Sequence, residues 1–92
     1  MKTMVTWSAK PGCLREAVAR FLAGKANAPE GVTILGRWHS VDMSMGFTLY
    51  EYSDPARLYA AAATFADVLD LKNYIVVEDA VVGPVLASTF GV

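Results

Sequence analysis

Cysteine and histidine are almost missing from this chain, which has one of each, Cys13 and His39, in 92 residues. A single thiol cannot close an internal disulfide, and one thiol with one imidazole cannot build a structural zinc site. Charge is also scarce. Eight Lys and Arg against nine Asp and Glu leave a net charge of -1, and charged residues are 18% of the chain. Without a basic surplus there is no sequence-independent attraction for phosphate, so nucleic acid is not an expected partner. The longest uncharged run, Ala80 to Val92, is broken by Gly83, Pro84 and Gly91. It falls short of the roughly 20 apolar residues a membrane helix needs, so no membrane span is expected. Near the start, Thr6, Ser8 and Lys10 interrupt any signal-peptide pattern, and a cytoplasmic location is the expectation. No Gly-rich phosphate loop, Gly-x-Ser-x-Gly elbow or carboxylate–histidine metal spacing occurs, so neither a cofactor nor a metal is expected.

What the chain does have is apolar substance. Hydrophobic residues are 54% of it and the mean hydropathy is +0.35, which excludes a disordered tail or linker. Its length suits one domain over residues 1–92.

Periodicity sets the order of elements. A β-prone run from Lys2 to Ser8 stops at Lys10-Pro11-Gly12, a turn signal. From Cys13 to about Ala26, Leu14, Ala17, Val18, Phe21 and Leu22 recur on one stripe of a 3.6-residue helix. After Asn27 to Gly31, a β-branched and aromatic run from Val32 to Val41 predicts a second strand. Asp42 to Gly46 reads as a hairpin loop, and Phe47 to Tyr52 as a third strand. Ser53-Asp54-Pro55 marks a helix start, with Asp54 as N-cap and Pro55 in the first turn. Leu58, Ala61, Ala62, Phe65 and Leu69 would share its inner face, the alanines letting it lie close on a sheet. A last strand is predicted from about Lys72 to Val81, followed by a short apolar tail. The order β-α-β-β-α-β predicts an α+β, ferredoxin-like domain: a four-stranded antiparallel sheet with two helices on one face.

Simple alternation puts Val32, Ile34 and Trp38 on one face of the second strand and Thr33, Leu35, Arg37, His39 and Val41 on the other. In the third strand Phe47, Leu49 and Glu51 oppose Thr48, Tyr50 and Tyr52. Both faces then carry large apolar side chains, more than a monomer leaves in water. A homodimer closing sheet to sheet is the expectation.

His39 is the one side chain whose ordinary pKa lies near neutrality, which makes it a candidate acid or base, although a strand histidine satisfied by a neighbour is the simpler reading. Pairing Trp38 with Leu49 would put Arg37 opposite Tyr50 and His39 opposite Thr48. Arg37, His39, Tyr50 and Tyr52 then share one surface, and His39, Arg37 and Tyr50 form the candidate catalytic set. If that surface faces a dimer's interior, the groups would line an apolar cavity with a few polar points, as small-molecule sites do. Tyr52, Trp38, Glu51 and Asp42 are candidate ligand contacts. Glu51, taken to lie on the helix-covered face with Phe47 and Leu49, is more simply structural, and Asp42 and Asp67 more simply turn and surface residues. Trp7 and Trp38 read first as packing anchors, and Cys13 as an incidental small residue.

The opening strand ending in Lys10-Pro11-Gly12, with Glu16 and Phe21 beyond, resembles the start of many dimeric α+β barrel proteins, the superfamily that includes the antibiotic-biosynthesis monooxygenases. Gly31, Trp38, Asp42, Phe47, Leu49, Glu51, Asp54-Pro55, Phe65 and Asp67 resemble more closely a family of short bacterial proteins classed as domain of unknown function 3303. The resemblance implies a ferredoxin-like fold dimerised through its sheets and no established activity. Some relatives in the superfamily oxidise or isomerise small aromatic molecules without a cofactor and others handle haem, a role that a strand histidine does not match. Two functions follow as expectations. One is a cofactor-independent monooxygenase- or isomerase-like protein acting on a small hydrophobic or aromatic molecule. The other is a non-catalytic dimeric module for a ligand or protein partner.

Overall fold

The computed structural model covers Met1–Val92. Its elements are β1 (Lys2–Ala9), α1 (Leu14–Leu22), β2 (Val32–His39), β3 (Gly46–Tyr52), α2 (Pro55–Ala63), β4 (Leu69–Val76) and α3 (Asp79–Phe90). The strands form one antiparallel sheet in the order β2-β3-β1-β4. The first six elements make the ferredoxin-like α+β arrangement that the periodicity predicts, and α3 is an addition.

Local chemistry explains most boundaries. Asp54 caps α2 by accepting the Ala56 N–H at 2.9 Å, with Pro55 next to it where a missing N–H costs nothing. α1 ends at Leu22, short of the expected Ala26, where the Gly24 N–H bonds back three residues to the Phe21 carbonyl and Gly24 takes a φ of +81°. β4 begins and ends earlier than expected. Its partner β1 dictates the span: Leu69 pairs with Ala9 and Val76 with Lys2, so Leu69 belongs to the sheet and not to α2. The expected tail is a helix, α3, closed by Gly91 at φ +69°. Pro84 inside it removes one N–H, at a cost of about 3 kcal/mol, yet the helix persists.

One irregularity decides which side chains face the helices. Between Ile34, opposite Tyr50, and Gly36, opposite Leu49, β2 carries an extra residue, Leu35. This bulge reverses the alternation, so Val32 and Ile34 share a face with Arg37 and His39, contrary to the simple alternation. Arg37 pairs with Thr48, Trp38 with Phe47 and His39 with Gly46, two residues along β3 from the expected register. The face carrying Arg37, His39, Thr48, Tyr50 and Tyr52 is the helix-covered one. Phe47, Leu49 and Glu51 lie on the open face, which corrects the expected assignment: Phe47 and Leu49 look more core-like than Thr48, but β1 presents Thr3, Val5 and Trp7 to the helices and its partners must follow.

The buried core is divided. Ala17, Phe65 and Val68 form one cluster, with Cys13, Ala26 and Leu69 packed on it. Val32, Tyr52 and Leu58 form another, next to Tyr50. α3 takes no part, since none of its residues is buried. The radius of gyration is accordingly 15.7 Å, against about 12 Å for a compact chain of this length.

Two glycines seat the tryptophans. A Cβ on Gly46 would overlap the Trp7 indole, and one on Gly36 would overlap Trp38. Trp7 is wedged between the sheet and His39, so Gly46→Ala is expected to overpack this position and destabilise the fold by about 1–3 kcal/mol in urea denaturation. An unchanged midpoint would contradict this packing.

Candidate functional site

Between the two core clusters the sheet and helices do not meet, and the space between them is open to solvent on one side. A cavity of about 470 Å³ opens there, floored by Val5, Trp7, Thr48, Tyr50 and Leu71 and roofed by Leu14, Val18, Phe21 and Ala60 to Ala62. The alanines of α2, expected to bring the helix down onto the sheet, instead leave volume beneath it. The cleft is open to solvent past the exposed Leu14, Val18 and Phe21 side chains, so water or a ligand occupies it.

The polar groups gather toward one end. Thr48, buried on the central strands, accepts the Trp7 indole N–H at 3.3 Å and the Arg37 Nε–H at 3.4 Å, stitching β1, β3 and β2 together. Arg37 Nη2 donates to the Ala26 carbonyl at 2.6 Å, and its guanidinium lies 5.6 Å from the centre of the Phe21 ring, a cation–π distance. The His39 imidazole meets Trp7 and Phe21 edge-on at 5.1 and 5.4 Å. It makes no side-chain hydrogen bond with the chain.

Of the residues singled out in the sequence, the cavity brings together Arg37, His39 and Tyr50. Tyr52 lies outside it, buried against Val32 and Leu58, its hydroxyl 2.5 Å from that of Thr3. Trp38 and Glu51 are on the open sheet face, where Glu51 stands 3.8 Å from Lys2. Asp42 sits at the β2–β3 turn, taking hydrogen bonds from the Ser44 backbone N–H and the Ser44 and Ser40 hydroxyls at 3.0, 2.7 and 2.8 Å. Those donors hold its carboxyl at about 2, below the usual 3.8. Asp67 is paired bidentately with Arg20 at 2.7 Å, joining α1 to the loop after α2, and Arg20 likewise lowers it to about 2. Sequence reasoning missed Trp7, Phe21 and Thr48 as site residues. The helix stripe that includes Phe21 was visible, but only the bulge shows that it meets Arg37 and His39.

The fold and cavity define a ferredoxin-like α+β domain with a sheet-to-helix pocket. Residues 1–90 match the family described as Domain of unknown function (DUF3303), and the chain belongs to that family. Comparison with curated proteins yields no match. Of the residues that carried the resemblance, Phe65 lines the cavity, Asp54 and Asp67 hold α2 and its following loop, and Trp38, Phe47, Leu49 and Glu51 lie on the open face.

Asp42 and Asp67 have folded-state pKa values below their unfolded ones, so the stability they contribute is present above about pH 4 and is lost as pH falls toward 2. Replacing both by Asn is expected to flatten the fall of the urea midpoint between pH 5 and pH 2.5. A double variant that tracks the unmodified chain over that range would contradict these hydrogen-bonded roles.

Proposed function

We propose that the protein binds a small, largely apolar molecule in the cavity between sheet and helices, one in each protomer of a homodimer. The observation that carries the binding reading is the cavity itself, about 470 Å³ with apolar walls and a few convergent polar groups, the usual make-up of a small-molecule site. Conversion of the ligand, as in cofactor-independent monooxygenases or isomerases, would require His39 to accept or donate a proton. Nothing in the chain hydrogen-bonds its ring to fix a tautomer, whereas acid–base histidines are usually oriented by such a partner. Aromatic edges from Trp7 and Phe21 hold it instead, which favours binding over catalysis.

The homodimer reading draws on two apolar surfaces that the chain leaves uncovered. The open sheet face presents Met4, Phe47, Leu49 and the half-exposed Trp38 and Tyr74. α3 presents Val81, Val85, Leu86 and Phe90, has one charged residue and no polar face to offer water. A helix apolar all round is usually a buried one.

Ala61→Phe would fill the cavity from α2. It is expected to weaken binding of 2-naphthylmethanol at least about tenfold while the circular dichroism spectrum stays unchanged, and undiminished affinity would exclude this pocket. Sedimentation equilibrium should give twice the 9.9 kDa chain mass and revert to one chain for Trp38→Arg with Leu49→Arg. A monomeric unmodified chain would overturn the dimer.

A further inference from the structure

The cavity's charge is of one sign, although the chain as a whole is not basic. Lys25 and Arg37 line it, and no Asp or Glu does. Neither cation has a carboxylate partner: the ion pairs of the chain join Lys2 to Glu51 and Glu78, and Arg20 to Glu16 and Asp67. Arg37 is half-buried, and a guanidinium placed in an apolar recess without a counter-ion is an arrangement that a ligand anion would complete. Its known bonds use Nε–H, toward Thr48, and one Nη2–H, toward Ala26. Both N–H groups of Nη1 are left over, charge-assisted donors that a ligand carboxylate can take.

Resting on the pocket reading above, we propose that the ligand is a hydrophobic monocarboxylate, its carboxylate on Arg37 and its apolar body between Phe21, Val18, Leu58 and the α2 alanines. Arg37 is anchored before the ligand arrives. The Thr48 hydroxyl and the Ala26 carbonyl fix two edges of its plane and the Phe21 ring lies under it, so little side-chain freedom is lost on binding. A polyphosphate does not fit this design. The chain has no backbone phosphate loop, and the walls are mainly aliphatic and aromatic.

Calorimetric titration of the full chain with 2-naphthoate, 2-naphthylmethanol and 2-naphthylmethylammonium separates the claims, because the three share one apolar body. The proposal expects naphthoate to bind about tenfold or more tighter than the alcohol, and the ammonium to bind weakest. Arg37→Met should erase the preference for naphthoate over the alcohol, and Arg37→Lys should keep part of it. Equal affinities for naphthoate and alcohol, or tighter ammonium binding, would overturn the anion inference and leave the pocket standing. No binding of any of the three would overturn both. Because the comparison among ligands is made on the unmodified chain, it holds even if a substitution at Arg37 unfolds the domain.

Discussion

The site depends on one inserted residue. Leu35 adds a position to β2 that β3 does not match, and every side chain after it changes sides of the sheet. Without the insertion, Val32 and Ile34 would still face the helices, but Trp38 would follow them and Arg37 and His39 would face outward. With it, β2 delivers aliphatic residues to one end of the helix-covered face and a guanidinium and an imidazole to the other. Gly36, beside the bulge, leaves room for the Trp38 ring on the open face. The same strand therefore serves a packed cluster, a polar site and an exposed aromatic surface.

Core and cavity are two aspects of the same choice of side-chain sizes. Large residues at the ends of the sheet–helix space, Phe65 and Val68 at one and Tyr52 and Leu58 at the other, hold the layers together. Small residues between them, Ala60 to Ala62, leave the middle open. The helices thus act as a supported roof more than as a packed layer, with the Arg20–Asp67 pair tying the two helical segments across the top. Fixed polar groups on the floor, above all Thr48 with its two donors, give the opening a directional end.

Much of the architecture was legible in the sequence. Element order and the Asp54-Pro55 helix start hold in the structure, because each rests on local periodicity or capping chemistry, whereas Arg37, His39, Tyr50 and Tyr52 share a face only through the Leu35 bulge and a register two residues from the expected one. The side on which that group lies was not legible. Phe47 and Leu49 are more hydrophobic than Thr48, and burial was assigned to them, whereas the central strands β1 and β3 bury Thr3 and Thr48, which hydrogen-bond with Tyr52, Trp7 and Arg37. The bulge carries no glycine or proline at Leu35 to announce it. α3 escaped because Gly83 and Pro84 read as a break, and its apolar residues, without a polar stripe, give no amphipathic period to detect.

The central claim is that the Leu35 bulge turns His39 and Arg37 to the helix side of the sheet, beside Phe21 of α1. Nuclear Overhauser contacts of the His39 ring protons report this most directly. The account predicts cross-peaks from His39 to the rings of Phe21 and Trp7, whose centres lie 5.4 and 5.1 Å away. Cross-peaks from His39 to the Phe47 or Leu49 side chains on the open face, with none to Phe21, would contradict it.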